Sequence, residues 1–226
     1  AVAAALAGEF VPSAVNVAVA SVAEAVRPFM PLAEKLGRLF TALHSGPAGK
    51  LTVEYLGKVA QEDTQAVTLS ALKGLLTDVV HEPVTYVNAP LLSQERGVDI
   101  STLKSSALAD HVSVVALSDG EVRVAGTVVG PRDRERLLEV WGYHVDMEPA
   151  EHMVFLRYRD RPGVIGVIGE KLGSYGVNIA SMQVGRREVG GEQVIAMAVD
   201  SAAPEHVLQD IAEAIDAHDV RSLDLA

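Results

Sequence analysis

The chain has 226 residues, 49% hydrophobic and 22% charged, enough for one or two globular domains with a sizeable core. Its 19 basic and 30 acidic residues leave a net charge of −11, which argues against a nucleic-acid partner, since that needs clustered Lys and Arg. The absence of cysteine excludes disulfides, thiol catalysis, zinc–thiolate sites and iron–sulfur clusters within the chain, and is compatible with a cytoplasmic setting.

No basic residue precedes Arg27, so the Ala-rich start does not read as a signal peptide, and Glu9, Pro12 and Glu24 interrupt any membrane span. Residues 1–20 read as the tail of a helix and a connector at Gly8 and Pro12, the cut edge of a domain expected upstream. Val22 and Val26, then Leu32, Leu36, Leu39, Phe40 and Leu43, recur at helical spacing. Pro28 and Pro31 are expected to split that stretch in two, and Ser45-Gly46-Pro47 to close it. Leu51, Val53 and Tyr55 alternate as in a half-buried strand, and Thr64 to Val80 returns to a helical period. Val84 to Pro90 leads into a short helix ending at Gly97, followed by a strand over Val98 to Ser106. Asp119-Gly120 between two apolar alternations, His111 to Leu117 and Glu121 to Thr127, predicts a hairpin. Arg132 to Trp141 fits a strand or a helix. Tyr143 to His152, polar and acidic with Pro149, reads as the link between a first domain over 21–148 and a second over 152–226.

The second domain reads as a strand around Met153 to Leu156, a helix Pro162 to Tyr175, a strand Asn178 to Arg186 and a turn at Gly190-Gly191. A strand Val194 to Val199, a helix Pro204 to Ala217 and a strand Val220 to Leu225 complete it. Val164, Ile168 and Leu172 on one helix, and Leu208, Ile211 and Ile215 on the other, predict two helices on one face of a sheet. The fold class is α+β in two domains.

The chemistry concentrates in Tyr158-Arg159-Asp160-Arg161-Pro162-Gly163. On a regular strand Tyr158 and Asp160 share a face, and Pro162 can open a helix because its missing N–H leaves nothing unpaired there. A carboxylate beside the free N–H groups of a helix start suits a zwitterion: Asp160 for an ammonium, the N–H groups for a carboxylate. The plainer alternative makes Asp160 a helix cap and Asn178 a turn residue. A second candidate is Arg132, Arg134 and Arg136, which on a strand would project from one face and could hold an anion such as a phosphorylated metabolite. The alternative there is a solvated face of internal ion pairs. Gly163, Gly166 and Gly169 are spaced G-x-x-G-x-x-G, a poor match to a dinucleotide loop, and close packing of a helix on the sheet accounts for them as well. The seven histidines form no H-E-x-x-H pattern, so neither a metal site nor a catalytic residue is assigned.

Asp160-Arg161-Pro162-Gly163-Val164-Ile165-Gly166, with Leu172-Gly173-Ser174-Tyr175-Gly176-Val177-Asn178-Ile179-Ala180, resembles the signature of ACT domains, small amino-acid-sensing modules. It is most similar to the one that ends bacterial D-3-phosphoglycerate dehydrogenases. That resemblance implies a βαββαβ ferredoxin-like fold, and L-serine as effector bound where two such domains meet in a homo-oligomer. It carries the effector contacts onto Tyr158, Asp160 and Asn178. Val87-Asn88-Ala89-Pro90 and Glu95-Arg96-Gly97-Val98 more loosely resemble the intervening, allosteric substrate-binding domain of the same enzymes, whose basic anion ligands match best at Arg136 and fall elsewhere on Tyr143 and Glu148. It implies a regulatory part whose catalytic residues and NAD site lie upstream, with no cofactor in this chain. Two other memberships are compatible: the regulatory part of an L-serine dehydratase, and a free-standing amino-acid-sensing subunit such as that of acetolactate synthase.

Overall fold

The computed structural model describes residues 22–44, 49–107 and 111–225. The junction expected over residues 1–20 and the stop at Ser45-Gly46-Pro47 lie outside the described residues. The chain divides into two compact units between Glu135 and Arg136.

In the first unit, helix α1 (Phe29–Leu43) buries Leu32, Leu36, Leu39, Phe40 and Leu43 along one stripe. The expected division falls at Pro28, where α1 begins, and Pro31 does not break the helix. Pro28 is the N-cap, Pro31 falls inside the first turn, where N–H groups have no helical partner, and residues 24–28 form turns. Helix α2 (Gln65–Thr77) crosses α1 at two glycines. A Cβ on Gly37 would stand 2.2 Å from the Ala71 carbonyl oxygen, and one on Gly74 1.9 Å from that of Glu34. Lys73 and Glu34 pair beside the crossing at 2.9 Å, and the Thr41 hydroxyl donates to the Leu75 carbonyl at 2.8 Å.

Strand β1 (Lys50–Gly57) alternates buried and half-buried residues, as its sequence predicts. Its Tyr55 is buried and bonded to the Thr68 hydroxyl at 2.6 Å, and burial pushes its phenol up to about 12. A short 3-10 turn (Lys58–Gln61) precedes α2, and helix α3 (Ala89–Glu95) has Pro90 in its first turn and Asn88 as its N-cap, whose side chain accepts the Thr85 N–H at 2.6 Å. Strand β2 (Asp99–Ser105) pairs parallel with β1, while β3 (Ser113–Ser118) pairs antiparallel with β1 and with β4 (Arg123–Val129), giving the order β2-β1-β3-β4. The β3–β4 hairpin turns at Asp119-Gly120 as expected, with Ser118 opposite Arg123. Gly120 has φ 98°, and the Asp119 carboxylate accepts the N–H groups of Glu121 and Val122 at 2.9 and 2.8 Å.

Arg132 to Trp141, open between strand and helix, is a strand: β5 (Arg134–Val140), antiparallel to β6 (Tyr143–Met147). The segment from Tyr143 expected as a polar link is therefore largely structured. Tyr143, Val145 and Met147 are buried in alternation, and only residues 148–151 carry no regular structure before the next strand. The backbone of β6 runs so close to the sheet of the second unit that a Cβ on Gly185 would meet the His144 carbonyl oxygen at 2.5 Å. Tyr143 donates to Glu192 at 3.1 Å and carries the Arg187 guanidinium over its ring at 4.6 Å.

The rest of the second unit is β7 (His152–Arg159), α4 (Val164–Ser174), β8 (Ile179–Arg186), β9 (Glu192–Val199), α5 (Glu205–Ile215) and β10 (Ala217–Asp224). This is the βαββαβ order that the resemblance implies. The sheet is antiparallel throughout, in the order β10-β7-β9-β8. Val154, Leu156 and Tyr158 of β7 and Ile195, Met197 and Val199 of β9 share the face that receives Val164, Ile168 and Leu172 of α4 and Val207, Ile211 and Ile215 of α5. Both helices thus lie on one face, as their stripes predict. Among the described residues no helix is long and apolar enough to cross a membrane.

Candidate functional site

Strand β7 positions the first site residues by its period of two. Tyr158 is the last of the row buried under the helices, and Asp160, one residue beyond the strand, opens on the same cavity as Tyr158. The Asp160 N–H donates to the Gly191 carbonyl at 2.8 Å, which ties the strand end to the β8–β9 turn. The chain then reverses through Pro162 and Gly163, where φ of 92° requires glycine's freedom. Helix α4 begins at Val164, two residues later than expected, because Gly163 in the left-handed region cannot be its first turn. Arg161 donates to the Ala214 carbonyl at 3.1 Å and fixes the turn against the end of α5.

Among the described residues no side chain caps α4, so the capping alternative for Asp160 does not apply. The first N–H groups of the helix, at Val164, Ile165 and Gly166, belong to residues that line a cavity of about 760 Å³. Its other walls are Tyr158 and Asp160 from the end of β7, Val184 and Arg186 from the end of β8, Val189 from the turn, and Gln193 from β9. The Asp160 carboxylate is neither buried nor saturated: its side chain is 23% exposed, and its ion-pair partner Arg186 stands 4.0 Å away. A cation can therefore reach it without breaking a tight pair. Tyr158 is fully buried and accepts a hydrogen bond from the Gln193 amide nitrogen. Burial raises its pKa, the Gln193 amide works against that by favouring the phenolate, and the charge of Asp160 adds to the rise.

Asn178 is not brought to this cavity. It precedes β8, whose Ile179 pairs with Val199, whereas Asp160 follows Arg159, which pairs with Glu192 at the other end of β9. The Asn178 amide donates to Asp200 at 2.8 Å, and the Asp200 N–H returns a bond to the Asn178 carbonyl at 3.0 Å. The arginine strip does not form one strand row either. Arg132 lies exposed in the turn over 130–133, and only Arg134 and Arg136 alternate on β5. The Arg136 guanidinium is engaged by the Asp146 carboxylate at 2.8 Å and the Asp146 carbonyl at 2.7 Å, with Glu148 at 3.8 Å.

Close packing on the sheet does not explain Gly166 and Gly169: among the described residues a Cβ at either meets nothing within 4 Å. The helix buries Val164, Ile168 and Leu172 and turns the glycines outward. Nor do these residues fit a dinucleotide, because the sheet is antiparallel and has no switch point between parallel strand ends where a pyrophosphate would sit. Among the described residues no group of three or more His, Asp or Glu could hold a metal ion.

Arg186 and Gln193 are cavity residues that sequence reasoning missed. Arg186 shares parity with Val184 at the end of a correctly placed strand, a signal that was present. Gln193 was hidden because β9 starts at Glu192, two residues before the apolar run that suggests it.

Residues 25–141 match the model of the D-3-phosphoglycerate dehydrogenase intervening domain, and residues 152–216 match that of the ACT domain. Curated relatives named D-3-phosphoglycerate dehydrogenase include one from Mycobacterium tuberculosis, 39% identical over 98% of this chain and 43% of its own length. Another, from Synechocystis, is 35% identical over 94% of this chain and 40% of its own length. A third, from Methanocaldococcus jannaschii, is 34% identical over 88% of this chain and 38% of its own length. The chain spans less than half the length of these relatives.

Proposed function

Because the chain belongs to the family of D-3-phosphoglycerate dehydrogenase intervening domains and carries an ACT domain, we propose that it is a regulatory part that binds a small amino acid, L-serine, as a feedback signal. The observation that carries this reading is the cavity where Asp160 faces the uncapped start of α4. The carboxylate takes the ammonium, and the N–H groups of Val164, Ile165 and Gly166 take the carboxylate, so both charges of the zwitterion are met. The relatives' name supports a wider role as part of a longer D-3-phosphoglycerate dehydrogenase. In this reading NAD is the cofactor of that longer enzyme, bound outside this chain, and the setting is cytoplasmic.

The site is completed by a second copy. Among the described residues strand β8 is the edge of the sheet, paired with β9 alone. Antiparallel pairing of two β8 edges about a two-fold axis sets the start of one strand beside the end of the other. Asn178 of a second copy then reaches the cavity formed by Tyr158 and Asp160 of the first. Binding across such an axis favours one arrangement of the two copies, which is what control at a distance requires.

A thermal-shift panel of amino acids tests the reading. L-serine raises the melting temperature in a concentration-dependent way. A rise with L-valine and none with L-serine would assign the chain to branched-chain sensing instead.

A further inference from the structure

The floor of the cavity holds a hydrogen-bonding asymmetry. Tyr158 is fully buried and Gln193 is 5% exposed. The Gln193 amide nitrogen donates to the Tyr158 oxygen, so the phenol acts there as acceptor. A tyrosine hydroxyl also has one proton to donate. Among the described residues nothing accepts it: the partner of the Tyr158 hydroxyl is the Gln193 amide, and the nearest charged group, Asp160, acts on it only through its charge. The hydroxyl already has one partner, so what remains is its proton, and Tyr158 lines a cavity from which an acceptor can approach.

We propose that Gln193 is a positioning residue of this pocket: by occupying the acceptor side of Tyr158, it leaves the phenolic proton to donate to an oxygen of the bound effector. The inference rests on the amino-acid reading of the site and adds a residue to it. The chemistry follows from donor counting. With the amide in place, the hydroxyl cannot turn its proton inward toward Gln193, because an N–H already points at its oxygen. The remaining direction is the cavity, and the group that satisfies it is an anionic or hydroxyl oxygen. The pocket then presents two kinds of donor, the α4 N–H groups and the Tyr158 hydroxyl, around one acceptor, the Asp160 carboxylate. An α-amino acid with an extra oxygen matches that set, whereas a simple amine has no oxygen for Tyr158.

The alternative is that Gln193 only fills space under the α4 turn. A double-mutant cycle separates the two. L-Serine is titrated calorimetrically into the wild-type chain, Gln193→Met, Tyr158→Phe and the double variant, with melting curves confirming that each is folded. Gln193→Met weakens binding about 3- to 10-fold, the range expected for one hydrogen bond, and in the Tyr158→Phe background the same change shifts affinity less than about 2-fold. Gln193→Leu, which is close in size and carries no donor, acceptor or charge, gives the same pattern and replaces Gln193→Met should that variant fail to fold. Unchanged affinity in these variants, or an equal loss in both backgrounds, overturns the role of Gln193 and leaves the amino-acid reading standing. No heat from the wild-type chain overturns both.

Discussion

Asp160 and Asn178 stand at opposite ends of one four-stranded sheet, the first beyond the end of β7 and the second ahead of the start of β8. Within one chain they cannot touch the same small molecule. Under the proposed two-fold pairing they do, each site taking Asp160 from one copy and Asn178 from the other. Asp160→Ala and Asn178→Ala chains should therefore each bind no L-serine alone, yet regain binding when refolded together. In random two-fold assembly roughly a quarter of the sites are then intact. Mixed chains that stay silent in calorimetry would contradict a shared site.

The glycines of the two units should respond oppositely to a methyl group. Gly74→Ala places a Cβ 1.9 Å from the Glu34 carbonyl oxygen at the α1–α2 crossing. Backbone must move there, so a loss of about 2–3 kcal/mol in urea unfolding is expected, the upper part of the range for overpacking. Gly169→Ala, on the open face of α4, meets nothing within 4 Å among the described residues. Helix propensity alone then favours the variant by up to about 1 kcal/mol. A loss at Gly169 would show that another copy covers that face.

Asp119 links stability of the first unit to acid. Its side chain is 11% exposed and pairs with His44 at 2.7 Å. Burial alone would raise its pKa, but the N–H groups of Val122 and Glu121, with His44, outweigh burial and lower it below 3.8. A lowered folded-state value contributes stability that is fully present above the unfolded carboxylate's pKa and is lost as pH falls through the folded value. Asp119→Ala should be less stable than the wild type by about 1–3 kcal/mol at pH 6, a charge-assisted hydrogen-bond contribution, and the gap should close well below pH 3.8. A gap independent of pH in denaturant titrations would exclude this origin.

Tyr143 tests whether β6 is clamped to the sheet beside it. Its hydroxyl donates to Glu192. Burial and the Glu192 charge both raise the phenol's pKa. Tyr143→Phe keeps the ring under Arg187 and removes one partly exposed bond, so a loss of about 0.5–1 kcal/mol is expected. An unchanged unfolding midpoint would show that the ring alone holds β6.

The second unit was legible because its elements obey simple periods. Val164, Ile168 and Leu172 return every four residues, Leu208, Ile211 and Ile215 every three or four, and Asp-Arg-Pro-Gly marks a reversal that needs positive φ at Gly163. Strand β6 was not, because His144 and Asp146 look like a connector unless the buried set Tyr143, Val145 and Met147 is read with them. The α1–α2 crossing was hidden for another reason: a glycine in a helical pattern does not say what approaches it, and only the fold shows backbone at Gly37 and Gly74 but open space at Gly169. The same limit applies to the site. Parity places Tyr158 and Asp160 together, but which side chains arrive from β8 and β9 depends on long-range register, and so Arg186 and Gln193 emerge only from the folded sheet.

The most direct test is a calorimetric titration of L-serine into the wild-type chain and into Asp160→Ala. Saturable heat from the wild type and none from Asp160→Ala, with both proteins melting alike, is the predicted result. Equal heats from the two would show that the carboxylate at the end of β7 does not hold the ammonium.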